Sequence, residues 1–413
     1  MIAPAALLAA ALAQAPADEP RMMPYLASAN LLGTDCLQDG AIVGRDPVSD
    51  AAQAAKTALA GLGIRYALWQ SYDFVGVTGA QSGDRTAFNY YSTEFYGTWN
   101  AFSSRDLGGT AGWLTFGAAA GTGLGYDAGS EGPRQSIGSL GTPMGVDNRQ
   151  HAFVQQLAWQ QSFLDGELVV TAGMLNPDYY LDLNTYANNQ YNQLLNEEFS
   201  TPSLLPWSRQ AMGVVVQWQP VDWFYSMWSS AANDTQAGQF PLDGISADDW
   251  TNTFEFGLLT DDLLGLGPGT YRAIPFVATV DGGTGAGVMF NVEQRLGRDG
   301  ALAFFGRGGF GNPNVTRLGG TEASFSGGLA VLAPSDTGYL RGLQSSLAAG
   351  FYWLDSAVAG TPNAQEWGFE VTYVMQLTPT LTVQPDVQVI LDPAFNAEHG
   401  TAVALTLQLN MLW

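Results

Sequence analysis

The chain has 413 residues, and only 13% of them are charged, about half of the ~25% usual in a soluble globular protein. It carries 15 Lys and Arg against 38 Asp and Glu, and the net charge of −23 argues against a nucleic-acid partner, whose phosphates need cationic neutralisation. Its single cysteine, Cys36, excludes an intramolecular disulfide framework and a cysteine-rich metal cluster.

The N-terminal apolar run, Ala3 to Ala13, is too short to cross ~30 Å of hydrocarbon as a helix. Followed by Ala13-Gln14-Ala15, a small-x-small site, it makes residues 1–15 an expected cleaved signal peptide. Pro16 and Pro20 stop a helix from continuing. Gly33-Thr34-Asp35 is not a lipoprotein box, so Cys36 reads as a plain thiol. Residues 16–62 are expected to be a periplasmic segment with one short helix. Ser49 or Asp50 would cap it, Ala51 to Ala60 would form it, and Gly61 would end it.

After Gly63 the period of the pattern changes from 3.6 to 2. In the last segment Val403, Leu405, Leu407, Leu409, Met411 and Trp413 share one face, while Ala404, Thr406, Gln408 and Asn410 share the other. A pleated strand sends alternate side chains to opposite faces, so this is one apolar wall and one polar wall. The same dyad recurs at residues 369–377, 381–389, 288–295 and 212–219. About sixteen such segments are expected, beginning near residues 64, 93, 111, 150, 167, 211, 222, 251, 270, 285, 301, 322, 341, 364, 380 and 401. Tight links, at Asp165-Gly166, Pro220-Val221, Gly297 to Gly300, Pro334 to Gly338 and Thr378-Pro379, alternate with long ones. The long links are 76–91, 122–148, 177–210, 232–249, 312–321, 355–363 and 392–400.

In an up-and-down barrel, alternate links lie at opposite rims, short periplasmic turns facing long external loops. A soluble sandwich also alternates, but its outer face carries charge, and a β-helix would show a fixed repeat. Here Thr, Gln, Asn and a few charges oppose a long apolar and aromatic face. Trp207, Trp223, Trp250, Phe351, Trp353, Trp367 and Trp413 cluster at strand ends, as interfacial girdles require. Residues 63–413 therefore read as an all-β, transmembrane, antiparallel barrel of about sixteen strands, with a short N-terminal helix ahead of it and a long loop folded toward the lumen.

Residues 364–393 contain Glu366, Glu370, Tyr373, the run Gln384-Pro385-Asp386-x-Gln388, and Pro393. They resemble the C-terminal signature of carbohydrate-selective (OprB-type) outer-membrane porins. In the middle, Gln160-Gln161-Ser162-Phe163-Leu164-Asp165-Gly166 leads into Gly173-Met174-Leu175-Asn176-Pro177-Asp178. Tyr186-Ala187, Leu195 to Phe199 and Thr201-Pro202 follow, an order similar to the family's fourth and fifth strands and the loop after them. Phe304-Phe305-Gly306-Arg307 resembles its Phe-x-Arg element. The likeness spans roughly residues 55–413. The Trp-Gly-Gly element often found near the family's N-terminus is missing from 30–60, and no surface-layer-binding domain is present. The resemblance implies a sixteen-stranded pore for sugars and small neutral solutes.

A passive pore needs a constriction rather than a catalytic group. The link 177–210 is the candidate: Pro177-Asp178 opens it, and Asn188 to Glu198 could form a short helix inside the lumen. Tyr179, Tyr180, Tyr186 and Tyr191 would offer faces to sugar C–H surfaces, and Asn188, Asn189, Gln190 and Asn192 would offer hydroxyl partners. An external cap loop is the alternative. Glu94, Arg272, Glu293, Arg295, Arg307 and Glu370 have the parity of the polar face, as do Gln384, Asp386 and Gln388. Each charge either lines the constriction or forms a wall bridge, Arg307 with Glu293 on the preceding strand being the obvious pair.

Enzymatic motifs are lacking. His151 and His399 are the only histidines, and no HExxH, P-loop or Gly-x-Ser-x-Gly occurs. The glycine-rich 121–125 ends a strand rather than starting a helix. Asp248-Asp249 and Asp261-Asp262 read as solvated turns. The expected protein is a non-enzymatic, cofactor-free and metal-free sugar porin in the outer membrane of a Gram-negative-type bacterium. It would be surrounded by lipid and lipopolysaccharide, as a monomer or homotrimer. A general or cation-preferring pore and a sealed structural barrel are the rival readings.

Overall fold

The computed structural model describes residues 41–43, 46–104, 109–144, 151–205, 210–233, 248–280, 283–296, 302–318, 321–332, 345–356 and 361–412. The expected signal peptide, Cys36, Trp207, Trp413 and the turns at 297–300 and 334–338 lie outside the described residues.

The chain enters through helix α1, Pro47–Ala60. Its cap is Asp46, whose carboxylate accepts from the Ser49 N–H at 2.6 Å. This corrects the expected cap at Ser49 or Asp50. Pro47, with its φ preset for a helix, occupies the first turn, so the helix begins four residues before Ala51. Asp46 also accepts from the Thr380 hydroxyl at 3.2 Å, which ties the start of α1 to a short-turn rim.

Sixteen strands follow. They are β1 Ile64–Thr78, β2 Ala87–Ser104, β3 Thr110–Gly123, β4 His151–Phe163, β5 Leu168–Leu175 and β6 Ala211–Val221. Next come β7 Phe224–Ala232, β8 Trp250–Thr260, β9 Gly269–Val280, β10 Gly283–Leu296 and β11 Leu302–Gly311. The last five are β12 Ala323–Leu332, β13 Ser345–Asp355, β14 Gln365–Gln376, β15 Leu381–Leu391 and β16 Thr401–Leu412. Each pairs antiparallel with its neighbour in sequence, and β1 pairs with β16, Trp69 opposite Leu412 through Thr78 opposite Val403. The sheet has no free edge, so every wall N–H and C=O in hydrocarbon can find a ladder partner. A 12-residue strand such as β14, tilted by about 40°, rises about 30 Å along the membrane normal, enough for an apolar band of about 25 Å.

The dyad sets the two faces. Along β14 and β15, buried and exposed positions alternate without a break. Phe369, Val371, Val387, Leu405 and Leu407 project outward, and Glu370, Thr372, Gln384, Asp386, Gln388 and Gln408 project inward. Trp250, Trp353 and Trp367 mark the long-loop rim, and Trp159, Trp218 and Trp223 the other. The register shifts at Asn100/Phe102 in β2, at Trp218/Val221 in β6 and in β4 opposite Gly117 and Ala118, where a bulge interrupts the alternation. The extra residue of the β4 bulge turns both Gln155 and Gln156 inward.

Link lengths differ from expectation in places. β2 begins at Ala87 rather than near 93, so the first loop is 79–86. β9 and β10 are joined by only two residues at the long-loop rim, and β12 and β13 are separated by 333–344 at the short-turn rim. The larger difference concerns 122–148. Its described part, 124–144, carries two short helices, α2 Ala128–Glu131 and α3 Pro133–Ile137, and then packs against the inner wall.

Candidate functional site

Two segments fill the lumen: 124–144 and, from the link between β5 and β6, residues 176–205. The second was expected to hold a helix at Asn188 to Glu198. Instead it is a chain of turns with 3-10 turns at Pro177–Tyr179 and Glu197–Phe199, the second capped by the Asn196 side chain. It needs no helix because the wall supplies partners for its backbone polar groups.

On one side the wall mixes arginine with glutamate, Arg272 and Arg307 with Glu255 and Glu293. Arg307, on β11, is buried and donates to the Asp182 carboxylate at 2.8 Å, the Asp182 carbonyl at 2.7 Å, the Ala187 carbonyl at 2.5 Å and the Asn188 side chain at 3.0 Å. It also donates to the Phe199 carbonyl. All five guanidinium donors are thereby used on the loop. The expected Arg307–Glu293 bridge does not form. Glu293 pairs with Arg272 at 2.9 Å and accepts from the Thr185 N–H at 2.5 Å. The wall ladder places Arg272 directly opposite Asn291, within reach of Glu293, whereas Arg307 is drawn to the Asp182 carboxylate.

Sequence reasoning missed several members of this set. Glu255 accepts from the Asp182 N–H at 2.7 Å and from Tyr225 at 2.5 Å. Asn291 donates to Asp182 at 2.5 Å and accepts from Asn184 at 2.8 Å. Inward parity on β8 and β10 could have found Glu255 and Asn291. No local signal marks Asp182, a non-glycine residue held at φ 59° in the left-handed region. Burial pushes its carboxyl up, and the facing Arg307 opposes that rise.

On the opposite side the wall is acidic and amidic. Glu370 accepts from the Leu195 N–H at 2.5 Å and the Asn196 N–H at 3.0 Å. Gln388 accepts from Asn196 at 3.1 Å and donates to the Pro143 carbonyl at 2.7 Å, holding both inward segments at once. Its amide also donates to Asp386 at 3.0 Å. Gln384 donates to the Gln193 carbonyl, and Asn410 to that of Tyr191. The two segments meet where the Glu197 N–H donates to the Thr142 carbonyl at 3.0 Å. Glu366, quoted above only for resemblance, anchors 124–144: it accepts from Leu140 at 2.6 Å and Gly141 at 2.8 Å, and from Ala394 at 3.0 Å. Glu198 is buried beside Ser203, and burial pushes its carboxyl up to about 7. The Ser203 hydroxyl and N–H counter that rise, and nearby Glu366 adds to it.

Apolar contacts complete the seat. Phe199 packs edge-on against Phe305 and Tyr352. A Cβ on Gly350 would come within 2.6 Å of its ring, so glycine makes the room. Leu204 joins Ile274, Phe276, Met289 and Val315. Tyr191 packs on Trp69 at 4.9 Å between centroids, beside Met144.

These contacts sort the candidates. Arg272, Glu293, Arg307, Glu370, Gln384, Asp386 and Gln388 face inward, but most of them lie beneath the loop and hold it. Glu94 is also inward and buried. Tyr180, Tyr186 and Tyr191 are buried rather than free to stack on solute. Tyr180 accepts from Gln156 at 2.6 Å, and Tyr179, half-buried like Asp178, donates to Gln155 at 2.7 Å. What faces water is the loop tip. Thr185 is exposed, and Asn188, Asn189, Gln190, Asn192 and Gln193 are half-buried. Gln193 ties the tip together, donating to the Thr185 carbonyl at 2.7 Å and accepting from the N–H groups of Asn188 at 2.5 Å and Asn189 at 2.9 Å. Arg295, inward and exposed, donates to the Tyr186 hydroxyl at 3.2 Å. Among the described residues no cluster of three His, Cys, Asp or Glu could hold a metal.

A closed sixteen-strand barrel, greasy outside and polar inside, narrowed by an inward loop, is the architecture of a porin. The profile of the carbohydrate-selective porin, OprB family, matches residues 108–411, and the chain belongs to that family. Its fold is similar to that of Pseudomonas putida OprB. The high-pH structure aligns with a TM-score of 0.70 at 15% identity, over 87% of this chain and 96% of that one. The low-pH structure aligns at 0.54 and 14%, with the same coverage. A mutant of Rh. blastica porin aligns at 0.52 and 6%, over 85% of this chain and 100% of that one. No curated protein sequence matches the chain. Family and barrel are those of non-enzymatic channel proteins, and they imply a Gram-negative outer membrane.

Proposed function

We propose that the chain carries mono- and short oligosaccharides, and similar small hydrophilic solutes, across the outer membrane by facilitated diffusion. The observation that supports this reading is the uncharged, amide-rich loop tip, where Asn188, Asn189, Gln190, Asn192 and Gln193 stand half-buried beside exposed Thr185. Carboxamides exchange hydrogen bonds with sugar hydroxyls one at a time, so a solute can enter and still leave. Asn188 and Asn192 are the contact groups in this scheme. Arg272, Glu293, Arg307, Glu370, Gln384 and Gln388 are positioning residues that set where the tip stands. No covalent step is involved.

The same reading takes residues 1–15 as a cleaved signal peptide, 16–62 as periplasmic and 63–413 as the barrel. The barrel would sit in lipid and lipopolysaccharide as a monomer or homotrimer. Planar-bilayer recording tests the function: added glucose or maltooligosaccharide should reduce the single-channel current in a concentration-dependent way. Ion conductance untouched by either sugar would overturn it. The net charge of −23 favours a second reading, a cation-preferring general pore. Strong cation selectivity in a KCl gradient, without sugar block, would select it.

A further inference from the structure

The lumen contains one arginine unlike its neighbours. Arg272 and Arg307 are buried and face carboxylates at 2.9 and 2.8 Å. Arg295 lies two residues beyond Glu293 on the same inward face of β10, near the short-turn rim, and is exposed. Its side chain makes one hydrogen bond among the described residues, from Nε to the Tyr186 hydroxyl at 3.2 Å. The nearest acid on its strand, Glu293, is occupied: it is bridged to Arg272 at 2.9 Å and accepts from the Thr185 N–H at 2.5 Å. Among the described residues, neither terminal nitrogen of the exposed Arg295 side chain has a partner, and their N–H groups form a fork that matches a carboxylate in bidentate fashion. Beside it runs the water-facing loop tip, where Thr185 precedes Tyr186 and receives Gln193 on its carbonyl.

We infer that Arg295 and the Tyr186 hydroxyl form a subsite for the carboxylate of a sugar acid, a hexuronate or aldonate, whose hydroxyls lie toward Thr185 and Gln193. The inference rests on the sugar-diffusion reading and names a substrate class within it. The chain is acidic overall, so an anion entering the lumen finds its complement at this unmatched guanidinium. The pair is solvated, which keeps the attraction modest and reversible, as passage requires.

Bilayer recording with sodium glucuronate and glucose at constant ionic strength tests it. In the unaltered protein, glucuronate should half-block the current at about five-fold lower concentration than glucose, the advantage a solvated ion pair can confer. Arg295→Gln should erase that advantage and leave glucose block unchanged, because Arg295 holds no backbone of the loop. Arg295→Lys should keep part of it. Raising the salt should weaken glucuronate block alone. Equal half-blocking concentrations in the unaltered protein, or a preference that survives Arg295→Gln, would overturn the subsite while leaving sugar diffusion intact. Block by neither solute would overturn both. Inorganic phosphate that displaces glucuronate more effectively than glucuronate displaces itself would make this a general anion site and end the sugar-acid assignment.

Discussion

Arg307 shows what happens to a charge that a barrel turns inward under a loop. Its five donors span Asp182, Ala187, Asn188 and Phe199, so it ties together both ends of the turn region. Arg307→Ala would leave the Asp182 carboxylate buried without its cation, a cost of about 3–5 kcal/mol. The expected result is a loop that leaves its seat. Single-channel current should become noisier and protease should cut within 176–205, and Arg307→Ala combined with Asp182→Asn should be milder than the single change. Quiet channels from Arg307→Ala would remove it from the positioning set.

Glu198 predicts a pH response. Its value of about 7 in the seated loop exceeds the usual 4.5, so the seated state holds the proton more tightly. Seating is then strongest below about pH 4.5 and weakens as pH rises to about 7, by up to about 3 kcal/mol, and is flat above that. Ser203, Glu366 and Arg134 are the groups around it. Open-channel noise should rise between pH 5 and pH 8 by this route, by about the span that linkage allows. Glu198→Gln should flatten that part of the response, and an identical profile in the variant would show that Glu198 does not titrate in this range.

At the scale of elements, the loop and the wall were made for different tasks. The strands need only alternate, and β14 and β15 do so in every residue. Among the described residues of the link, 176–205, no regular element is longer than a 3-10 turn, and its backbone is held by side chains from β8, β10, β11, β14, β15 and β16. Replacing residues 184–194 by a short glycine linker should raise single-channel conductance and abolish sugar block, while the barrel, whose ladder does not include the loop, still folds. Unchanged conductance would mean that the narrowest point is made by 124–144 instead. From the sequence, that second segment reads as an ordinary long link. Its inward course depends on Glu366 and Gln388, more than 220 residues further along. The expected helix at Asn188 to Glu198 failed for a related reason: the wall's carboxylates and amides offered the backbone better partners than its own next turn.

For the molecule as a whole, the outer face decides the solvent. Phe256, Phe290, Phe310, Phe369 and Leu405 are among many large apolar side chains on the outside of the closed sheet. Such a surface is far beyond the few hundred Å2 of contiguous apolar patch that water-soluble monomers tolerate. The mature chain should aggregate when detergent is removed and insert when lipid is supplied. A monodisperse particle in plain buffer, by light scattering, would contradict the membrane assignment and everything that rests on it.

What could be read from the chain alone is what depends on neighbours in the chain. A two-residue period, broken by turns, defines a strand and both its faces, so the strand number, the closed barrel and the inward parity of Glu293, Arg307, Glu370 and Gln384 were all legible. The roles of those inward groups were not. Arg307 meets Asp182 across 125 positions of sequence and Gln388 meets Pro143 across 245. Pairings of that range have no local pattern, because closing the barrel brings far-separated residues to one point and burial then leaves each charge to whichever partner stands nearest. Only the tertiary structure therefore separates Arg272 and Arg307, which lie buried beneath the loop, from Arg295, which is exposed.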